Sequence, residues 1–190
     1  MLVKGFPQLW LNMGEVDEFG MQTLEALTTL IRANHYTQAL ILLYSAIDAV
    51  AWASLPSGDV TRSAFCNWAD QYMDPQSSLG CSSEDLYAAR CSMVHSSTAE
   101  SKMSREGRAR ELWYATSPHS IPKLDAHRQA VGSRATVVYF TAMVGAFAEG
   151  LMRFSDDLSA DPKRQAAANS RIGRWLRFIP MSSVQQAESS

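Results

Sequence analysis

Arg90 and His95, five residues apart near the end of a helical stretch, and Asp48 on an earlier apolar segment are the residues best suited by type to do chemistry. A guanidinium stays charged at every working pH and grips a phosphate through parallel N–H donors. An imidazole gives or takes a proton near neutral pH. A helix-borne carboxylate can orient either group. Together they are the parts needed to break an RNA phosphodiester by attack of its own 2′-hydroxyl without a metal. The same residues also fit a pattern without chemistry, in which an Arg90–Asp48 ion pair between two helices simply fixes their register. The spacing alone leaves both readings open.

Other constellations are thinner. Cys91 and His95 stand four apart, compatible with two metal ligands, and Cys81 and His119 could complete the set. Zinc sites with a strong sequence signal use two tight Cys/His pairs, so no metal is expected here. No glycine-flanked serine elbow and no phosphate-cradling glycine loop occurs. No cofactor is expected either. Arg105, Arg108 and Arg110 follow the Arg90–His95 stretch closely and are candidates to track an RNA backbone. With Glu106 and Glu111 nearby, a solvated charged turn explains them equally well.

The elements that must position these residues are helical almost throughout. Leu24, Leu27 and Ile31 share one face of a first helix, Val16 to Ala33. Leu40, Leu43, Ile47 and Val50 keep the same period over Tyr36 to Ser54, ended by Pro56-Ser57-Gly58. Phe65, Trp68, Ala69 and Tyr72 mark a third helix that stops before Asp74-Pro75. Ser82 and Asp85 have capping-box spacing and open the helix bearing Arg90 and His95. Beyond Thr98 the chain turns irregular: Leu112 to Thr116 reads as a short strand or extended turn, and Pro118 and Pro122 break any helix there. A long apolar helix is expected over Ser133 to Phe154, with Val137, Phe140, Val144, Phe147 and Leu151 in phase. Asp161-Pro162 starts a last helix. Its stripe of Ile172, Trp175, Leu176 and Ile179, flanked by Arg171, Arg174 and Arg177, is expected to dock on the bundle and leave the arginines in water. The tail from Met181 to residue 190 is expected to be disordered.

A chain of 190 residues with 46% hydrophobic content supports one domain, set at residues 1–180. The net charge of −2 excludes a globally basic nucleic-acid binder, but its distribution is uneven. Residues 1–99 hold four basic and ten acidic side chains, and residues 100–190 hold thirteen basic and nine acidic ones. The second half can therefore present a basic face. Three cysteines without framework spacing suit a reducing compartment, and the amino terminus lacks a secretory apolar core. Tyr36–Ser57 and Ala135–Ala148 are nearly uncharged but read as buried helices. A cytoplasmic protein with no membrane span is expected.

Two segments carry a family resemblance. Arg90-Cys91-Ser92-Met93-Val94-His95 resembles the signature of HEPN domains, an arginine followed by four to six residues and a histidine. The run ALILLYSAIDAVA from Ala39 to Ala51, with its acid at Asp48, resembles a HEPN core helix. The likeness spans residues 16–155 in outline and is specific around 36–55 and 84–99. It implies an all-α, HEPN-like antiparallel helical bundle with an irregular middle connection and a C-terminal helix. It further implies a metal-independent endoribonuclease, usually a homodimer whose motif helices meet at a cleft, as in toxins and defence effectors partnered by an antitoxin or a nucleotidyltransferase. His95 would be the general acid or base, Arg90 the phosphate-holding cation and Asp48 the orienting acid. The family also contains non-catalytic interaction and nucleotide-binding modules. Where active members commonly carry Asn after the arginine, this chain has Cys91. At about 100° per residue, positions 90 and 95 lie roughly 140° apart on a straight helix. The site therefore requires a bend or end near Val94, or a second subunit.

Overall fold

The computed structural model describes residues 14–96, 101–172 and 174, with the backbone alone for 94–96. Helix α1 (Glu15–Arg32) has acids in its first turn and an arginine in its last, as the helix dipole favours. Its buried residues Val16, Gly20, Thr23 and Leu27 recur every three or four positions, so one stripe faces inward. Asn34, at φ 59°, turns the chain sharply into α2 (Tyr36–Ala53); asparagine tolerates this left-handed backbone better than most residues. Half of α2 is buried, including Leu40, Leu43, Tyr44, Ile47 and Val50, because α1, α3, α5 and α9 all pack on it. Among the described residues it is the one helix long and apolar enough to cross a membrane, and it occupies the place of a bundle's central helix.

Helix α3 (Arg62–Trp68) is capped by Thr61, whose hydroxyl accepts from the Ala64 amide at 3.2 Å, and it widens into a π turn over Ala69–Met73. Asp74 at φ 46° ends that turn and caps the short α4 (Pro75–Leu79). Ser82 and Asp85 form the expected reciprocal box: the Asp85 amide donates to the Ser82 hydroxyl at 3.1 Å and the Ser82 amide to the Asp85 carboxylate at 3.0 Å. Helix α5 (Ser83–Ser96) follows, then α6 (Lys102–Arg105).

The middle connection departs from expectation twice. Pro118 and Pro122 do not interrupt helix; they lie in the first positions of a 3-10 turn (Pro118–Ser120) and of α7 (Ile121–Ala130), where a missing amide proton costs nothing. The helix expected from Ser133 begins only at Phe140. Thr136–Tyr139 is instead strand β2, paired in parallel with β1 (Leu112–Ala115), Leu112 opposite Thr136 and Ala115 opposite Tyr139. Val137 and Val138 have the β-branched character that suits a pleated ladder, and the chain crosses between the strands through α7. The molecule is mostly helical, with this two-stranded sheet as its β structure among the described residues.

Helix α8 (Phe140–Ser159) buries Phe140, Met143, Phe147, Leu151, Phe154 and Leu158. Its aromatic rings close around Trp68, which lies 6.1 Å from both Phe147 and Phe154, centroid to centroid. Gly150 brings α8 against the π turn, where an added Cβ would lie 3.2 Å from the Tyr72 carbonyl oxygen. Helix α9 (Pro162–Ile172) starts where Asp161 accepts from the Lys163 and Arg164 amides, and Ile172 is buried as expected. Arg171, expected in water, sits 4.7 Å above the Trp52 ring and donates to the Trp52 and Gly58 carbonyls at 3.1 Å, which ties α9 to the end of α2. Arg174 is exposed; Trp175, Leu176, Arg177, Ile179 and the tail lie outside the described residues.

Candidate functional site

Helices α2 and α5 bring Asp48 and Arg90 together. The Arg90 Nε and Nη2 both lie 2.5 Å from the same Asp48 Oδ2. The two side chains are 18% and 16% exposed, so the pair sits just under the surface, reachable from one side but largely out of water. Burial works to lower the Arg90 pKa, yet the hydrogen bond and charge of Asp48 outweigh it and hold the guanidinium above its ordinary value. Arg90 is thus a fixed cation, with Nη1 turned toward the Cys91 sulfur 4.0 Å away.

Tyr87 completes this cluster, and sequence reasoning missed it. Its phenol lies near the Cys91 thiol, and its pKa is raised first by burial and then by Cys91, with Arg90 opposing and Asp48 adding to the rise. The ring meets Phe65 edge-on at 5.5 Å. Positions 87, 90 and 91 fall at i, i+3 and i+4 of one helix, a signal that was available in the sequence.

His95 lies in the last turn of α5, one residue before its end, so the helix does not stop ahead of it. Of the conditions set by the sequence, a bend or end near Val94 or a second subunit, the backbone shows α5 continuing through Ser96. On a regular helix position 95 projects about 140° away from position 90. The His95 side chain is outside the described part of the structure.

The three arginines of the expected RNA track have different surroundings. Arg105 and Arg108 are exposed, and Arg108 bonds Glu106 at 2.8 Å. Arg110 is tied down: its Nε and Nη2 donate to Asp85 Oδ2 at 3.0 and 2.8 Å, and its amide donates to Asp85 Oδ1 at 2.6 Å. Asp85, 3% exposed, also caps α5, so this carboxylate fastens the start of α5 to the segment entering β1. Of the residues weighed for zinc, Cys81 is wholly buried, its thiol pushed up to about 12 by burial, while His119 is exposed. Among the described residues no three His, Cys, Asp or Glu side chains cluster as a metal site would require.

No protein family, curated protein or solved structure matches this chain.

Proposed function

We propose that the protein is a HEPN-like endoribonuclease that cuts RNA without a metal and acts as a homodimer. The observation that carries this reading is the largely buried Arg90–Asp48 pair, whose arginine stands on the helix that also bears His95, about one and a half turns further on. In this mechanism His95 takes the proton of a 2′-hydroxyl, and the freed oxygen attacks the adjacent phosphorus. The P–O5′ bond breaks, the leaving 5′-oxygen takes up a proton, and a 2′,3′-cyclic phosphate remains. Arg90, oriented by Asp48, faces the charge that grows on the nonbridging oxygens. Arg105 and Arg108 track the flanking backbone; Arg110 can do so only with the donors Asp85 leaves. A toxin or defence role, with an antitoxin or nucleotidyltransferase as partner and the cytoplasm as its compartment, belongs to the same proposal. The test is cleavage of mixed RNA in the presence of a chelator. Wild-type protein should release cyclic-phosphate ends and His95→Ala should not; equal, background-level products from both would sink the proposal.

One observation favours a second reading, a non-catalytic HEPN-like interaction or nucleotide-binding module. Asp48 engages both Nε and Nη2 of Arg90, the paired edge that a phosphate would otherwise occupy. In this reading the pair is architectural. Arg90→Ala would then lower the melting temperature with no cleavage to lose.

A further inference from the structure

A second group of arginines lies away from the Arg90 site, at the edge where the two parallel strands begin. The register pairs Leu112 with Thr136, and the Thr136 amide donates to the Glu111 carbonyl at 2.8 Å. Two residues earlier on each strand stand Arg110 and Arg134, so the ladder sets two guanidinium-bearing positions side by side. Helix α7, crossing between the strands, brings Arg128 to the same place. All three line one surface cleft of about 370 Å³, together with apolar Ile121 and Val137.

Like charges set side by side on neighbouring strands destabilise a sheet unless something neutralises them. Two of the three arginines are already braced. Arg110 is held by Asp85 and by the Gly80 carbonyl at 3.3 Å. Arg128 is held by Asp125 at 2.7–2.8 Å and by the Ser133 carbonyl at 3.4 Å. Both keep N–H donors to spare, since a guanidinium carries five. Arg134 makes no hydrogen bond or ion pair among the described residues and is exposed. The cleft thus presents two arginines fixed in direction by carboxylates, Asp85 and Asp125, the latter itself on the cleft wall, and a third with every donor open. A tetrahedral dianion, with several acceptor oxygens, matches such a set better than a carboxylate does.

We propose that this cleft binds a phosphate group, either that of a small nucleotide or one on an RNA backbone. The site shares Arg110 with the RNA track of the nuclease reading, but its occupancy needs neither Arg90 nor His95.

The full chain is titrated calorimetrically with inorganic phosphate, with a nucleoside 5′-monophosphate, and with a 2′-O-methyl oligonucleotide that cannot be cleaved. Arg134→Ala is the informative variant, because the side chain bonds to nothing among the described residues and its loss should leave the melting temperature unchanged. Saturable binding of at least one of the three probes, weakened about tenfold or more in Arg134→Ala, is the expected result, since one charge-assisted contact is lost. Preference for the mononucleotide identifies a small-molecule site, and preference for the oligonucleotide identifies a backbone contact. The proposal is overturned by no saturable binding of any probe, or by binding that Arg134→Ala leaves unchanged. His95→Ala must bind like wild type, so failure here and failure of the nuclease reading are separate results.

Discussion

Replacing Arg90 by Ala leaves the Asp48 carboxylate in a pocket that is only 16% exposed, with its bidentate donor gone. Removing one partner of a fully buried ion pair costs about 3–5 kcal/mol, because the remaining charge is left without compensation. This pair retains some contact with water, which solvates the remaining carboxylate, and the figure falls to about 2–3 kcal/mol. For a chain of this length that is roughly 5–10 °C in melting temperature. Removing both partners takes the buried carboxylate away as well. Arg90→Ala/Asp48→Ala should therefore be less destabilised than the sum of the single variants by about 1–2 kcal/mol. Urea unfolding of wild type, both single variants and the double variant closes the cycle. His95→Ala in the same series should unfold close to wild type, so that any loss of cleavage in it is chemical rather than structural. If Arg90→Ala melts within a degree of wild type, or the cycle shows no coupling, the pair does not hold α5 to α2 and the account of the site fails.

Two further predictions test how the site is braced and packed. Asp85→Ala should cost about 2–3 kcal/mol, since it strands the Ser82 and Arg110 amides and the Arg110 guanidinium. Burial alone would raise the Asp85 pKa, but the donors of Ser82 and Arg110 prevail and lower it. A lowered folded value gives stabilisation that is complete above about pH 4, the usual carboxylate value, and that fades as pH falls through the folded one. Acid titration of stability should accordingly be steeper in wild type than in Asp85→Ala, and parallel curves would refute the assignment. On α8, Gly145→Ala should stabilise by up to about 1 kcal/mol, because nothing lies within 4 Å of the added carbon and alanine favours helix. Gly150→Ala should instead destabilise by about 1 kcal/mol or more despite the same propensity gain, because its Cβ meets the Tyr72 backbone. Opposite shifts in thermal melting are the check.

The parts of the fold legible in the sequence were those written in a single local code. The periods of α1 and α2, the Asp161-Pro162 start of α9 and the Ser82–Asp85 box each rest on residues close to one another in the chain, and all form as read. The β1–β2 pairing was illegible for the opposite reason. Thr136–Tyr139 continues the apolar phase of α8, and only a partner strand 24 residues earlier turns it into a ladder. The Asp48–Arg90 contact was foreseeable because both lie on faces of predicted helices. Arg110 was misjudged because it looks like a member of a charged surface turn, whereas its function in the fold depends on Asp85, 25 residues away.

These two ion pairs together constrain more than either does alone. Asp85 and Arg90 are five residues apart, so on a regular helix they point about 140° away from each other, and position 95 adds a further 140°. Around the circumference of α5 the three positions are spaced by about 140°, 140° and 80°. Asp85 is fastened toward β1 and Arg90 toward α2, so neither rotation about the helix axis nor sliding along it is free. On a regular helix position 95 falls about 140° from position 90 and about 80° from position 85. A nuclease built on this helix consequently cannot assemble Arg90 and His95 from one straight copy. The catalytic reading demands that a second protomer supply the complementary half, which makes activity rise with dimer population on dilution assays and makes obligate monomeric cleavage the outcome that contradicts it.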